Sequence, residues 1–233
     1  MNDAVERVNA LGGNGSNGAR SLSGFSFSKE KFKRLVFGPA DPLAGSTVDV
    51  SDCSFVACDA GGEFAIAHGV HMRSTLFDGV RASDGMMVSS ASILDGVVVR
   101  GGRKSASLWC KPPYGSDVNP GIIEWAKRGI DNVGVAIDFS GLAASETEVV
   151  GLPLSRLRWN PELHVPVSKL WEKHASWADL KLPENSFWRL LLQRLDDFGS
   201  DEGVFSIPLP GDRNYERKME ELARIEEAGI LRR

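Results

Sequence analysis

Between about residues 25 and 110, short apolar runs alternate with glycine and small polar residues, and no helical period lasts more than two turns. Apolar runs of this kind, rich in β-branched and aromatic side chains, are typical of short strands. The runs are Leu35–Phe37, Thr47–Val50, Ser54–Cys58, Phe64–Ala67, Ser74–Phe77, Met86–Val88, Ser92–Leu94 and Val97–Val99. The pattern predicts a β-rich region that is built from many very short strands.

Part of this region repeats. Residues 74–80 match residues 91–97 position by position, and residues 53–58 fit the same frame upstream of the first copy. A single short repeat cannot bury its apolar side chains alone, so stacked repeats share one continuous core. We therefore expect one apolar residue from each copy to stack in a single interior column: Phe55, Leu76 and Ile93.

The repeat resembles right-handed β-helix proteins and, more loosely, pentapeptide-repeat proteins. The latter favour a small residue, a polar residue and then Leu or Phe, as in residues 53–55 and 74–76. The resemblance covers about residues 47–110, and it implies a mainly β fold with a short right-handed β-solenoid (β-helix). A β-sandwich or a β-meander is the alternative.

Three regions follow along the chain. Residues 1–24 are predicted to be a flexible N-terminal arm with a Gly-rich linker, residues 25–165 a β-solenoid-like domain, and residues 166–233 a helical region. The apolar spacing after Pro183 and after Asp212 predicts two helices in the last region, because it places apolar side chains on one face of each. We expect these helices to form an α-helical C-terminal cap on the solenoid.

Composition limits the classes of protein to which the chain can belong. It has 233 residues, of which 42% are hydrophobic and 25% charged, as in ordinary globular domains. The net charge of −4 argues against a nucleic-acid partner, and no apolar run approaches the ~20 residues that span a bilayer. The start lacks the features of a secretion signal, and three cysteines are too few for a disulfide scaffold. We therefore expect a reduced, cytoplasmic protein with no membrane partner.

One group of residues has the types that bind zinc, although its spacing differs from that of a zinc finger. The group is Cys53, Cys58, His68 and His71. Cysteines in a repeat commonly serve as small buried fillers, which is the structural explanation of the first two. We expect structural filling here, and no metal or other cofactor.

Asp78 and Asp95 could form a pair of carboxylates, because each precedes a glycine at matching positions of the repeat. If the two were stacked, they would lie ~5 Å apart, as neighbouring strands do. Such a pair could supply the general acid of a carbohydrate-active β-helix lyase or hydrolase. The structural explanation is that each Asp-Gly step turns a corner of the chain.

No nucleotide-binding, zinc-protease or hydrolase motif occurs in the chain, which leaves binding as the leading expectation. Tryptophan is enriched in binding hot spots, and carboxylates at the C-terminal end of a helix do not stabilise it. The predicted binding residues are Trp159, Trp171, Trp177, Asp196, Asp197, Asp201 and Glu202. In general character the chain is similar to bacterial toxin-immunity proteins, which implies an inhibitor that covers a basic toxin. The alternatives are the carbohydrate-active enzyme and a structural solenoid that assembles with itself.

Overall fold

The structure is a computed structural model that describes residues 13–14, 20–39, 43, 45–113 and 118–231. Within these ranges the chain is mainly β, with parallel sheets and three α-helices. The strands are β1 (Gly13–Asn14), β2 (Arg20–Ser23), β3 (Ser26–Ser28), β4 (Leu35–Phe37), β5 (Val48–Ser51), β6 (Ser54–Val56), β7 (Phe64–Ile66), β8 (Val70–Arg73), β9 (Leu76–Asp78), β10 (Met86–Ser89), β11 (Ile93–Asp95), β12 (Val97–Arg100), β13 (Leu108–Lys111), β14 (Ile137–Asp138), β15 (Thr147–Val150), β16 (Leu157–Arg158), β17 (His164–Ser168) and β18 (Glu202–Ser206). The helices are α1 (Pro120–Ile130), α2 (Phe187–Asp197) and α3 (Tyr215–Glu227).

These strands form three sheets. The first sheet has the order β1-β2-β5-β8-β11, the second β16-β14-β12-β9-β6-β3, and the third β17-β18-β15-β13-β10-β7-β4. From β2 to β13, every three consecutive strands form a triplet that adds one strand to each sheet. From β5 to β13, neighbouring triplets pair in parallel at a constant spacing along the chain, so that Val48 pairs with Val70 and Met86 with Leu108.

The main core lies on the inward faces of these strands. Inward, buried side chains alternate with outward ones along each of these strands, as the period of two in a strand requires. In the second sheet the rings of Phe27, Phe55 and Phe77 stack with 5.2 Å between successive centroids. Val99 continues this column because it pairs with Phe77.

The predicted alignment of residues 74–80 with residues 91–97 is therefore wrong. Leu76 pairs with Val98 in the second sheet, whereas Ile93 pairs with His71 in the first sheet. Leu76 is also half-buried and out of phase with the buried Phe77, and Phe55 lies in the second sheet. Phe55, Leu76 and Ile93 therefore do not share one column.

A second core joins the C-terminal region to the outer face of the third sheet. Outward residues of β15, β17 and β18 pack against α2, α3 and three tryptophans. The strand residues are Val150, Val165, Val167 and Phe205, and the tryptophans are Trp171, Trp177 and Trp188. The region after residue 165 is thus not purely helical, because β18 inserts between β15 and β17 and pairs antiparallel with both.

The ends of the predicted helices agree in part with the structure. Gly199 closes α2 with a φ of +60° and a hydrogen bond from its N–H to the carbonyl of Asp196. The helix begins at Phe187, however, because Pro183 and Ser186 form a preceding turn. α3 begins at Tyr215, three residues after Asp212, whose carboxylate accepts the N–H of Leu209.

The predicted arm and linker are described only in part. The arm and linker predicted over residues 1–24 overlap β2, which pairs in parallel with β5. Residues 1–12 of the predicted arm lie outside the described residues. Among the helices of the described ranges, none has both the length and the apolar composition needed to cross a membrane.

Candidate functional site

Two of the three tryptophans predicted to contact a partner are core residues. Trp171 and Trp177 are buried, and Trp171 contacts both Trp177 and Trp188 at ring-centroid distances of 6.4 and 6.5 Å. Trp159 is half-buried against the main core. The prediction of Trp171 and Trp177 as surface anchors is therefore wrong, since their rings are needed to fill the second core.

The four predicted carboxylates divide into two pairs. Asp196 contacts Lys169 at 2.7 Å, and its hydrogen bond raises the pKa of that lysine. Glu202 accepts the backbone N–H of Leu154 through Oε1 at 2.9 Å. In contrast, Asp201 has a side chain that is 95% exposed and lies 4.0 Å from Lys169, and the described residues place no cation within ion-pair distance of Asp197.

Asp78 and Asp95 do not form a pair of carboxylates. Asp78 lies in the second sheet, where it contacts Arg100 at 2.9 Å, and Asp95 lies in the first sheet opposite Arg73. Each is followed by a glycine with positive φ, which agrees with the corner explanation. The predicted stacking of the two carboxylates is wrong, because it depended on the incorrect alignment of the repeat.

Within the described residues, no group of three or more His, Cys, Asp or Glu is arranged to hold a metal ion. The thiols of Cys53 and Cys58 donate to the carbonyls of Ser51 and Val56, and burial raises the pKa of both. His71 instead lies 3.2 Å from Asp49. His68 lies 3.3 Å from the hydroxyl of Ser89, so the four residues do not converge.

The outer face of the third sheet presents a surface that the sequence analysis did not identify. One outward residue from each of four adjacent strands lies in register, and none of the four is charged. We call this set the open stripe: Val36, Ala65, Met87 and Trp109. Met87 is 40% exposed, and Trp109 is half-buried. In the strand of residues 108–111, Trp109 is in phase with the charged Lys111, and Leu108 and Cys110 lie on the opposite, buried face. This phase is the signal in the sequence that could have placed Trp109 outside.

A cleft of about 420 Å³ lies where the open stripe meets α2. Glu148 follows Trp109 in register and is buried there, with Oε1 2.7 Å from Nε of Arg194 and Oε2 3.3 Å from Nζ of Lys111. Phe187 and Lys218 line the same cleft, and the Lys218 ammonium lies 4.6 Å from the centre of the Phe187 ring. Both oxygens of Glu148 are therefore engaged by cations.

Two further depressions continue this surface. One has a volume of about 290 Å³ and shares Met87 and Lys111 with the first cleft. The other has a volume of about 600 Å³ and lies between α1 and the turn after α2. It shares Pro112 and Pro113 with the depression of about 290 Å³. The three therefore form one surface along the edge of the helical region.

Comparison of the chain with protein-family models, curated proteins and solved structures found no match.

Proposed function

We propose that this chain is a non-enzymatic, cytoplasmic protein that binds another protein through the open stripe and the clefts beside it. In this proposal it acts as an immunity or antitoxin-like inhibitor that covers its partner. The observation that carries the proposal is the open stripe, a row of uncharged outward side chains of which Met87 is 40% exposed.

The composition of the open stripe supports a protein partner. Met and Trp are enriched in the centres of protein interfaces, whereas charged residues are depleted there. The outward positions of the first sheet differ, because Asp49 pairs with His71 in the corresponding row. A rigid, uncharged row beside a charged cleft is suited to a partner that combines apolar and charged side chains.

We also propose that the three sheets form a short right-handed β-solenoid with a C-terminal cap. The register of the triplets supports this, because from β5 to β13 each triplet repeats the same spacing and adds one parallel strand to each of the three sheets. The antiparallel strands β17 and β18 end the third sheet, and a change of direction of this kind stops further parallel stacking.

The experiment is isolation of the tagged protein from its native cells with mild cross-linking. The expected result is one protein recovered in stoichiometric amount, which then forms a complex with the purified chain. Oligomers that grow with the concentration of the pure chain would instead indicate self-assembly. Turnover of a glycan by the pure chain, lost in Asp95→Asn without loss of folding, would contradict the proposal.

A further inference from the structure

The groove of about 600 Å³ between α1 and the turn after α2 has a mixed chemical character; we call it the acidic groove. Its walls are mainly apolar, and several of these side chains are only half-buried. The half-buried apolar residues are Pro112, Pro113, Ile123 and Phe198. This volume lies in the range of sites that bury several side chains or a small ligand.

The rim of the acidic groove carries an excess of negative charge. Asp201 and Glu202 line the groove, and Asp197 directly precedes Phe198 in the chain. The one cation among the described lining residues, Lys127, lies 3.3 Å from Glu124 on the same helix and is balanced by it. The adjacent Lys169 is held by Asp196, so it neutralises Asp201 only weakly at 4.0 Å.

Two of these carboxylates do not stabilise the fold. Asp197 is the last residue of α2, where the helix dipole disfavours a carboxylate, and Asp201 extends its side chain into solvent. Carboxylates around an apolar groove attract a cationic group and disfavour an anionic one.

From this complementarity we infer that the acidic groove binds a segment of the partner in which an apolar side chain is flanked by Lys or Arg. The apolar side chain contacts Ile123 and Phe198, and the flanking cations lie near Asp197 and Asp201. This inference rests on the proposed function, since it names the chemistry of the protein that the chain binds.

A random-peptide library displayed on phage tests the inference with the full-length protein as bait. The expected consensus is an apolar residue next to Lys or Arg. A synthetic peptide of this consensus should bind at least about tenfold more weakly when its Lys and Arg are replaced by Gln. Its affinity should also fall as salt is added, because the pairs at the rim are exposed.

The matched variants separate the groove from general electrostatics. The double variant Asp197→Asn, Asp201→Asn should bind the peptide about tenfold more weakly. The double variant Asp179→Asn, Glu184→Gln removes two exposed carboxylates elsewhere and should leave the affinity for the peptide unchanged. A consensus without cations, or equal affinity in both double variants, would overturn the inference.

The same variants distinguish the inference from the proposed function. If a native partner binds the Asp197→Asn, Asp201→Asn variant as tightly as the unaltered chain, the proposed function stands and the inference fails. If the peptide binds as expected but no stoichiometric partner is recovered, the acidic groove binds cations and the proposed function fails.

Discussion

At the scale of single residues, a shift of one position decides which side chain is in the core. Leu76 and Phe77 are adjacent in β9, and both are large and apolar. The sequence alone favours Leu76 as the buried one, because it aligns with Ile93 in the apparent repeat. The structure places Phe77 between Phe55 and Val99, while Leu76 lies on the outward side. A one-residue slip in a strand reverses the side chains that are buried.

Phe77→Ala should therefore cost about 3–5 kcal/mol of unfolding free energy, because it removes a fully buried ring from the column. Leu76→Ala, its neighbour in the same strand, should cost on the order of 1 kcal/mol. Urea denaturation of the two variants measures the difference. An equal loss in both would contradict the register described for β9.

His164 should make stability depend on pH. The ring is buried, its Nδ1 lies 3.2 Å from the carbonyl of Asn160, and burial lowers its pKa from 6.5 to about 4. The unfolded chain then binds more protons than the folded one between these values, so stability falls as the pH decreases through this window. The contribution is about 3 kcal/mol.

The measurement is urea denaturation of the unaltered chain and of His164→Gln between pH 7 and pH 4. The unfolding free energy of the unaltered chain minus that of His164→Gln should decrease by about 3 kcal/mol towards the lower pH. His174→Gln changes an exposed histidine and serves as the control. A constant difference across the range would show that His164 titrates normally.

At the scale of elements, the sequence predicted the short strands better than it predicted their alignment. The predicted runs at Leu35–Phe37, Met86–Val88 and Val97–Val99 agree with β4, β10 and β12 within one residue. The alignment failed because the corners are not marked by glycine alone. The corner that follows each parallel strand of the first sheet has a positive φ, and its residue is Gly24, Asp52, Ser74 or Gly96 in successive triplets. A search for Asp-Gly steps therefore aligns two different corners and misses the spacing at which the triplets pair.

A second corner allows a direct test of this explanation. Ala57 has a φ of +51° and Gly79, its equivalent in the next triplet, has a φ of +62°. Left-handed backbone costs an alanine about 1–2 kcal/mol, which exceeds the entropy cost of a glycine. Ala57→Gly should therefore raise the unfolding free energy by roughly 0.5–1 kcal/mol, and Gly79→Ala should lower it by about 1 kcal/mol. Thermal denaturation measures both, and changes of the same sign would contradict the account.

The candidate site was predictable from the sequence only in part. Asp197 and Asp201 were identified from their place at a helix end; the described part of the chain places no cation within ion-pair distance of Asp197, and Asp201 lies 4.0 Å from Lys169. Trp171 and Trp177 were assigned to the surface because a one-dimensional pattern does not tell which side of a segment meets a second core. Trp109 and Met87 were missed because their exposure depends on how far the helical region extends over the third sheet.

At the scale of the whole molecule, the two cores explain why one surface remains open. The main core contains buried residues of all three sheets, and the second core packs against the outer face of the third sheet at β15, β17 and β18. The same face of β4, β7, β10 and β13 carries the open stripe. The cleft with Glu148 and the acidic groove lie along this boundary. In our proposal, the partner is held at this boundary by apolar contacts and by charge.

The most direct test of this account is the affinity of the isolated partner for Met87→Glu, compared with Leu170→Glu. Both variants replace an exposed apolar side chain with a carboxylate. Met87 lies in the open stripe, whereas Leu170, which is 67% exposed, lies in the C-terminal region. The account predicts that Met87→Glu weakens binding by at least about tenfold while Leu170→Glu leaves it unchanged. If Met87→Glu folds normally and binds the partner with unaltered affinity, the open stripe is not the binding surface.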